Sequence, residues 1–174
     1  MEWLNEPEYW SGDTEKITMT AESGTDMWRQ PGRGGIRSNG HFYFRTVDGD
    51  FTASVKVTGV YEAQFDQAGI MVMIDDERWM KCGIEMVDGV QYASVVVTRG
   101  WSDWSRIALD DPAALWIKVE RKGEMLFVYY SLDGEDFALM RKAFFSDALS
   151  ADVGLAAACP KGKGFDAAFE NFTV

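Results

Sequence analysis

The sequence predicts an all-β protein, built as a sandwich of two antiparallel sheets. Three observations carry that expectation. Roughly a dozen short segments alternate apolar and polar residues, as half-buried strands do. Turn pairs such as Asn39-Gly40, Asp48-Gly49, Asp88-Gly89 and Asp133-Gly134 separate them at short spacing. No stretch sustains a helical period.

Taken in order, Glu2 to Trp10 is aromatic and interrupted by Pro7, and is expected to pack as an extended terminal segment. Lys16 to Ala21 alternates as a short strand. Gly24 to Gly40 holds Asp26, Trp28, Arg29 and the run Pro31-Gly32-Arg33-Gly34-Gly35, and reads as a loop walling a groove. His41 to Val47 and Phe51 to Val60 are strands. In the second, Phe51, Ala53, Val55 and Val57 alternate with Thr52, Ser54, Lys56 and Thr58. Gln67 to Thr98 forms a central meander of three strands. Arg99 to Ser105 is a loop or crossover carrying two tryptophans, and Asp110-Asp111-Pro112 breaks the chain again. Leu115 to Arg121 and Met125 to Ser131 make a hairpin around Lys122-Gly123. Another strand starts at Phe137, and Phe144 to Leu149 is expected to form one helical turn. Val153 to Ala158 and Phe165 to Val174 complete the sheets.

A chain of 174 residues suits a single domain over 1–174 with a sizeable core. With 47% apolar residues and seven tryptophans it is not a disordered chain. The formal net charge of −11 argues against nucleic acid or an anionic membrane as a partner. Cys82 and Cys159 lie far apart and read as buried free thiols of a reducing compartment. Met1-Glu2-Trp3-Leu4 has neither a basic start nor an apolar run, and no segment approaches the ~20 apolar residues of a membrane span. A cytoplasmic protein is expected. One histidine and two separated cysteines argue against zinc, and neither an EF-hand nor a phosphate-cradling loop is present. No cofactor or metal is expected.

The meander carries the functional signal. Asp88-Gly89 is a two-residue hairpin turn, which sets Glu85 opposite Tyr92, Gly83 opposite Ser94, Lys81 opposite Val96 and Trp79 opposite Thr98. One face then bears Met80, Cys82, Ile84, Ala93, Val95 and Val97. The other bears Trp79, Lys81, Glu85, Tyr92, Ser94 and Thr98, too polar for a core and too aromatic for an ordinary surface. At Asp76-Glu77-Arg78 a three-residue turn keeps Ile70, Val72 and Ile74 on the apolar side. It places Asp75 opposite Trp79 and Met73 opposite Lys81.

The words Asn5-Glu6-Pro7, Asp26-Met27-Trp28-Arg29, Gly40-His41-Phe42, Asp66-Gln67-Ala68-Gly69-Ile70-Met71, Trp79 to Glu85 (WMKCGIE) and Ser102-Asp103-Trp104-Ser105 occur in a telling order and spacing. Over nearly its whole length the chain resembles the "regulation of enolase" family of domains of unknown function. The resemblance implies a concanavalin A-like jelly roll, whose concave face in that superfamily commonly binds or cleaves carbohydrate. The enolase link of a yeast member is not carried over. The chain departs from the family at Met73, where Arg is usual, at Arg33-Gly34-Gly35, where an aromatic-rich loop is usual, and at Ser38, where Asp is usual. Asp75 is therefore expected to lack a guanidinium partner.

The expected ligand is a small polar molecule, a saccharide, bound by Trp28, Arg29, His41, Asp75, Trp79, Lys81, Glu85, Ser94, Thr98, Asp103 and Trp104. Trp79, Trp101 and Trp104 are candidate stacking platforms. Lys81 and Asp75 are expected to meet on the groove floor, beside a second polar cluster of Glu85, Tyr92, Ser94 and Gln67. Two alternatives stand beside a non-catalytic binding module. One is a carbohydrate hydrolase or lyase. Asp75 and Glu85 would stand about 20 Å apart at the strand rise, beyond the roughly 5–9.5 Å of paired catalytic carboxylates. Asp75 with Asp103, or His41 as a base, stays open. The other alternative is a protein-interaction module for a metabolic enzyme. Exposed strand edges leave a homodimer open.

Overall fold

The computed structural model describes residues 1–174. Sixteen strands, numbered in chain order, form two seven-stranded antiparallel sheets and one small hairpin. Sheet A runs β1 (Glu2–Leu4), β6 (His41–Asp48), β15 (Ser150–Ala158), β8 (Gln67–Asp75), β9 (Arg78–Val87), β10 (Val90–Arg99), β11 (Trp101–Ala108). Sheet B runs β14 (Ala138–Phe144), β13 (Met125–Ser131), β12 (Leu115–Lys122), β7 (Phe51–Gly59), β16 (Gly164–Thr173), β3 (Lys16–Glu22), β2 (Trp10–Gly12). The hairpin pairs β4 (Met27–Gln30) with β5 (Gly35–Ser38) through a single 3-10 turn at Gly32–Gly34. This is the two-sheet antiparallel β-sandwich expected from the sequence.

The inner faces of the two sheets meet in one core of 32 buried residues. It takes every second residue of the strands: Phe51, Ala53, Val55 and Val57 from β7, Met80, Cys82 and Ile84 from β9, and Ala93, Val95 and Val97 from β10. Each fully buried Val, Leu or Ile side chain contributes about 1.5–3 kcal/mol relative to exposure. Both cysteines are buried free thiols. Burial pushes both thiols up, Cys159 to about 11. No helix is long and apolar enough to cross a membrane.

The β9–β10 register matches the sequence expectation at all four positions, Glu85↔Tyr92, Gly83↔Ser94, Lys81↔Val96 and Trp79↔Thr98. The β8–β9 register does not. Met73 pairs with Trp79 and Met71 with Lys81, while Asp75 pairs with Arg78. The turn has two residues, and Ile74 is the extra residue of a bulge. That bulge restores the side-chain parity that a plain two-residue turn would have inverted, so Ile70 and Val72 still face the core.

Three other expectations change. Gly24 to Gly40 is a loop only at its ends, because β4 and β5 pair inside it. The segment after Gly100 is the edge strand β11, paired along its whole length with β10. Phe144 to Leu149 makes no helical turn. Phe144 ends β14 and Phe145 is buried in the core.

Candidate functional site

The outer face of sheet A is divided by the β4–β5 hairpin, which lies across it. At one end Met27 from the hairpin packs with Phe42, Met71, Met73, Trp79 and Val96 in a second, separate apolar cluster. Arg29 pins the hairpin down. Its Nε donates to the Gly100 carbonyl (2.9 Å), its Nη2 to Glu77 Oε1 (2.8 Å), and its backbone N–H to Ser102 Oγ (3.0 Å).

Beside that sealed end lies a pocket of about 380 Å³. Its walls are aromatic: Trp28 from the hairpin, Trp104 from β11 and Phe65 from the segment before β8. Trp28 and Phe65 each meet Trp104 edge-on, with ring centroids 6.4 and 6.3 Å apart, a favoured geometry for aromatic pairs. Phe65 holds a left-handed backbone (φ 69°), unusual for a bulky residue. Its N–H donates to the Met86 carbonyl at 2.7 Å, which anchors the backbone that carries the ring.

The floor is charged. Lys81 Nζ lies 3.2 Å from Asp26 Oδ1. Asp26 is itself held at the hairpin base, its carbonyl accepting from Asn39 and Gly40 N–H and its N–H donating to Asn39 Oδ1. Glu85, buried, accepts from Ser94 Oγ (2.5 Å) and Trp104 Nε1 (2.9 Å). Burial holds its carboxyl above the ordinary range, and the nearby Asp26 pushes the same way. The charge of Lys81 and the bonds from Ser94 and Trp104 oppose this. Between Lys81 and Glu85 the strand offers only Gly83, opposite Gly69. A Cβ on either would sit within about 2 Å of the neighbouring strand's carbonyl (1.9 Å for Gly69, 2.0 Å for Gly83).

Of the eleven residues singled out in the sequence, Trp28, Lys81, Glu85 and Trp104 line this pocket, and Ser94 supports Glu85 from behind. The other six serve elsewhere. Trp79 is 1% exposed and lies in the second apolar cluster, so it offers no stacking face. Thr98 is fully buried against Ser102. Arg29 fastens the hairpin, as described. Asp75 bonds twice to Arg78 (2.9 and 2.7 Å), which holds its carboxyl below the usual range. It therefore does not lack a guanidinium, and Lys81 meets Asp26 instead. Asp103 pairs across β10 with the core-facing Val97 and reaches Arg141 of sheet B, so it points away from the pocket. That removes the Asp75–Asp103 pair as catalytic carboxylates. His41 is buried, its Nδ1 bonded to the Asn5 carbonyl (2.6 Å) and its Nε2 accepting from Glu22 N–H (3.1 Å). With both nitrogens engaged it has no free lone pair for a base.

Sequence reasoning left Asp26, Gln30, Arg37, Phe65 and Lys161 out of the site, and all five line the pocket. Asp26 stood within a family word, next to Trp28. Gln30 and Arg37 fall within the Gly24–Gly40 segment read as a wall of the groove, without being singled out, and nothing local marks Phe65 or Lys161. Lys161 arrives through the β15–β16 connection, which Cys159 N–H ties to Thr25 Oγ1 (2.9 Å) and Gly24 N–H to the Cys159 carbonyl (2.8 Å).

Comparison with known proteins agrees with this architecture. The chain is 37% identical over 173 residues to Regulation of enolase protein 1 of Saccharomyces cerevisiae, covering 99% of this chain and 87% of the relative. It is similar to the crystal structure of a functionally unknown Saccharomyces cerevisiae protein (TM-score 0.94, 37% identity, 99% of this chain and 94% of the other). Two more distant structures share the fold. One is the GH43 BlXynB protein of Bacillus licheniformis (TM-score 0.75, 19% identity), where 96% of this chain matches 34% of that one. The other is the carbohydrate binding module CBM66 of Bacillus subtilis (TM-score 0.57, 14% identity, 98% and 93% covered). Matched over residues 3–174, the chain belongs to the family described as "Protein of unknown function (DUF1349)".

Proposed function

We propose that this protein is a carbohydrate-binding domain whose ligand occupies the pocket between the β4–β5 hairpin and β11. The observation that carries this reading is the pairing of three aromatic walls with a charged, hydrogen-bonding floor in one pocket of about 380 Å³. A sugar ring has apolar CH faces that suit Trp28 and Trp104, and hydroxyls that suit Asp26, Lys81 and Glu85. A carbohydrate binding module among the fold neighbours supports the same reading. Two buried free thiols fit the expected cytoplasmic setting.

Calorimetric titration of mono- and oligosaccharides, neutral and acidic, into wild type and Trp28→Ala tests it. Binding to wild type, lost in a variant with an unchanged circular dichroism spectrum, supports the reading. Absence of binding to every saccharide sinks it.

A second reading, hydrolysis in the same pocket, is favoured by one observation. Burial raises the Glu85 carboxyl above its ordinary range, and the charge of nearby Asp26 raises it further. A raised carboxyl near a second carboxylate is an arrangement that acid–base catalysis uses. Turnover of aryl glycosides by wild type, abolished in Glu85→Gln, would move the assignment from binding to catalysis.

A further inference from the structure

The charge inside the pocket runs against that of the whole chain. The sequence has 17 basic and 28 acidic residues, yet Arg37, Lys81 and Lys161 face only Asp26 and Glu85 in the pocket. Lys81 and Asp26 neutralise each other at 3.2 Å. Glu85 is consumed by Ser94 and Trp104, and burial favours its neutral form. Arg37 and Lys161 remain. Neither is among the ion pairs of the structure, and both are exposed at the rim. They come from separate elements, Arg37 on the hairpin and Lys161 on the β15–β16 connection. Two cations lining one pocket without a carboxylate partner offer an anion a local attraction that the rest of this acidic surface does not.

We infer that the ligand is an anionic saccharide, a sugar bearing a carboxylate or phosphate that Arg37 and Lys161 take while Trp28 and Trp104 hold the ring. This rests on the carbohydrate reading above and narrows it. The anion would lie at the rim, toward Arg37 and Lys161. The hydroxyls would lie over Asp26, Lys81 and Glu85 on the floor. Arg37 offers a planar two-pronged donor and Lys161 a point charge, a combination that accepts either oxyanion.

The test is a tryptophan-fluorescence titration of wild type with D-glucuronate, D-galacturonate and D-glucose 6-phosphate. D-glucose, D-galactose and inorganic phosphate are the matched controls, each at low and high salt. The acidic sugars are expected to bind at least about tenfold tighter than their neutral parents, the scale of a charge-assisted hydrogen bond. The advantage should shrink with salt and vanish in Arg37→Gln/Lys161→Gln, whose exposed substitutions leave the core untouched. Preference for the uronates or for the phosphate ester identifies which oxyanion the site was built for. If neutral sugars bind as tightly as the acids, the anion proposal falls and the carbohydrate reading stands. If inorganic phosphate binds as tightly as glucose 6-phosphate, the ring contributes nothing and the proposal falls. If nothing binds, both fall together.

Discussion

The outer face of sheet A has two halves built from the same strands, and they behave as opposites. One half, around Met71, Met73 and Trp79, is as dry as a core. The other, around Lys81, Glu85 and Trp104, is an open polar pocket. The boundary runs through Lys81, whose Nζ lies 5.8 Å from the Trp79 ring on one side and bonds Asp26 on the other. Strand alternation cannot distinguish the halves, since all these side chains point the same way. The hairpin makes the difference: it lays Met27 on the dry half and extends Trp28 over the open one. A mixed polar and aromatic sheet face is thus neither floor nor core until the segment covering it is known.

The largest expected effect comes from the dry half. Trp79→Ala should cost about 3–5 kcal/mol, the range for truncating a fully buried large aromatic, as read from urea unfolding. A cost below about 1 kcal/mol, typical of surface substitutions, would mean that Trp79 lines an open groove and that the two halves are one.

Arg29→Ala should come next. It removes two anchoring contacts, the guanidinium bonds to Gly100 and Glu77, while the backbone bond to Ser102 survives. A loss of about 1–2 kcal/mol is expected, in line with one or two partly exposed hydrogen bonds. The sharper readout is hydrogen exchange. Amides of 27–38 should exchange faster while those of β9 and β10 stay protected. Uniform loss of protection would show that the hairpin is not a separate cover.

On the polar half, Lys81→Met should raise the Glu85 carboxyl further, since the Lys81 charge is the largest influence now holding it down. A carboxyl carbon NMR titration of Glu85 checks the direction, and a downward shift would contradict the described floor.

The smallest effects are in pH dependence, and they have opposite signs. The Glu85 carboxyl titrates above its unfolded value. It therefore adds stability that is fully present below about pH 4.5 and is lost as pH rises through the folded value. Glu85→Gln should flatten that decline. Asp133 caps its turn by accepting from Glu135 and Asp136 N–H and from Ser131 Oγ, which lowers it to about 2. Its contribution is present above about pH 4 and lost as pH falls toward 2. Asp133→Asn should remove only that acid limb. Melting temperatures across the pH range separate the two.

The sequence alone settled what depends on neighbours along the chain. Alternation identified the core face of β7, β9 and β10, and Asp88-Gly89 set the β9–β10 register, because a two-residue turn admits one pairing. It missed the bulge at Ile74, where two local solutions differ only in how they satisfy the faces. It also placed Trp79, Thr98 and Asp103 in the site by parity or motif alone, without knowing what covers or flanks them. The pocket itself was decided by tertiary structure. Asp26 meets Lys81 across 55 residues of chain, Trp28 meets Trp104, and Lys161 reaches the rim from beyond β15. Such pairings depend on how the hairpin and the β15–β16 connection fold back over the sheet. No local periodicity encodes that, because its energy comes from contacts between segments that are strangers in sequence.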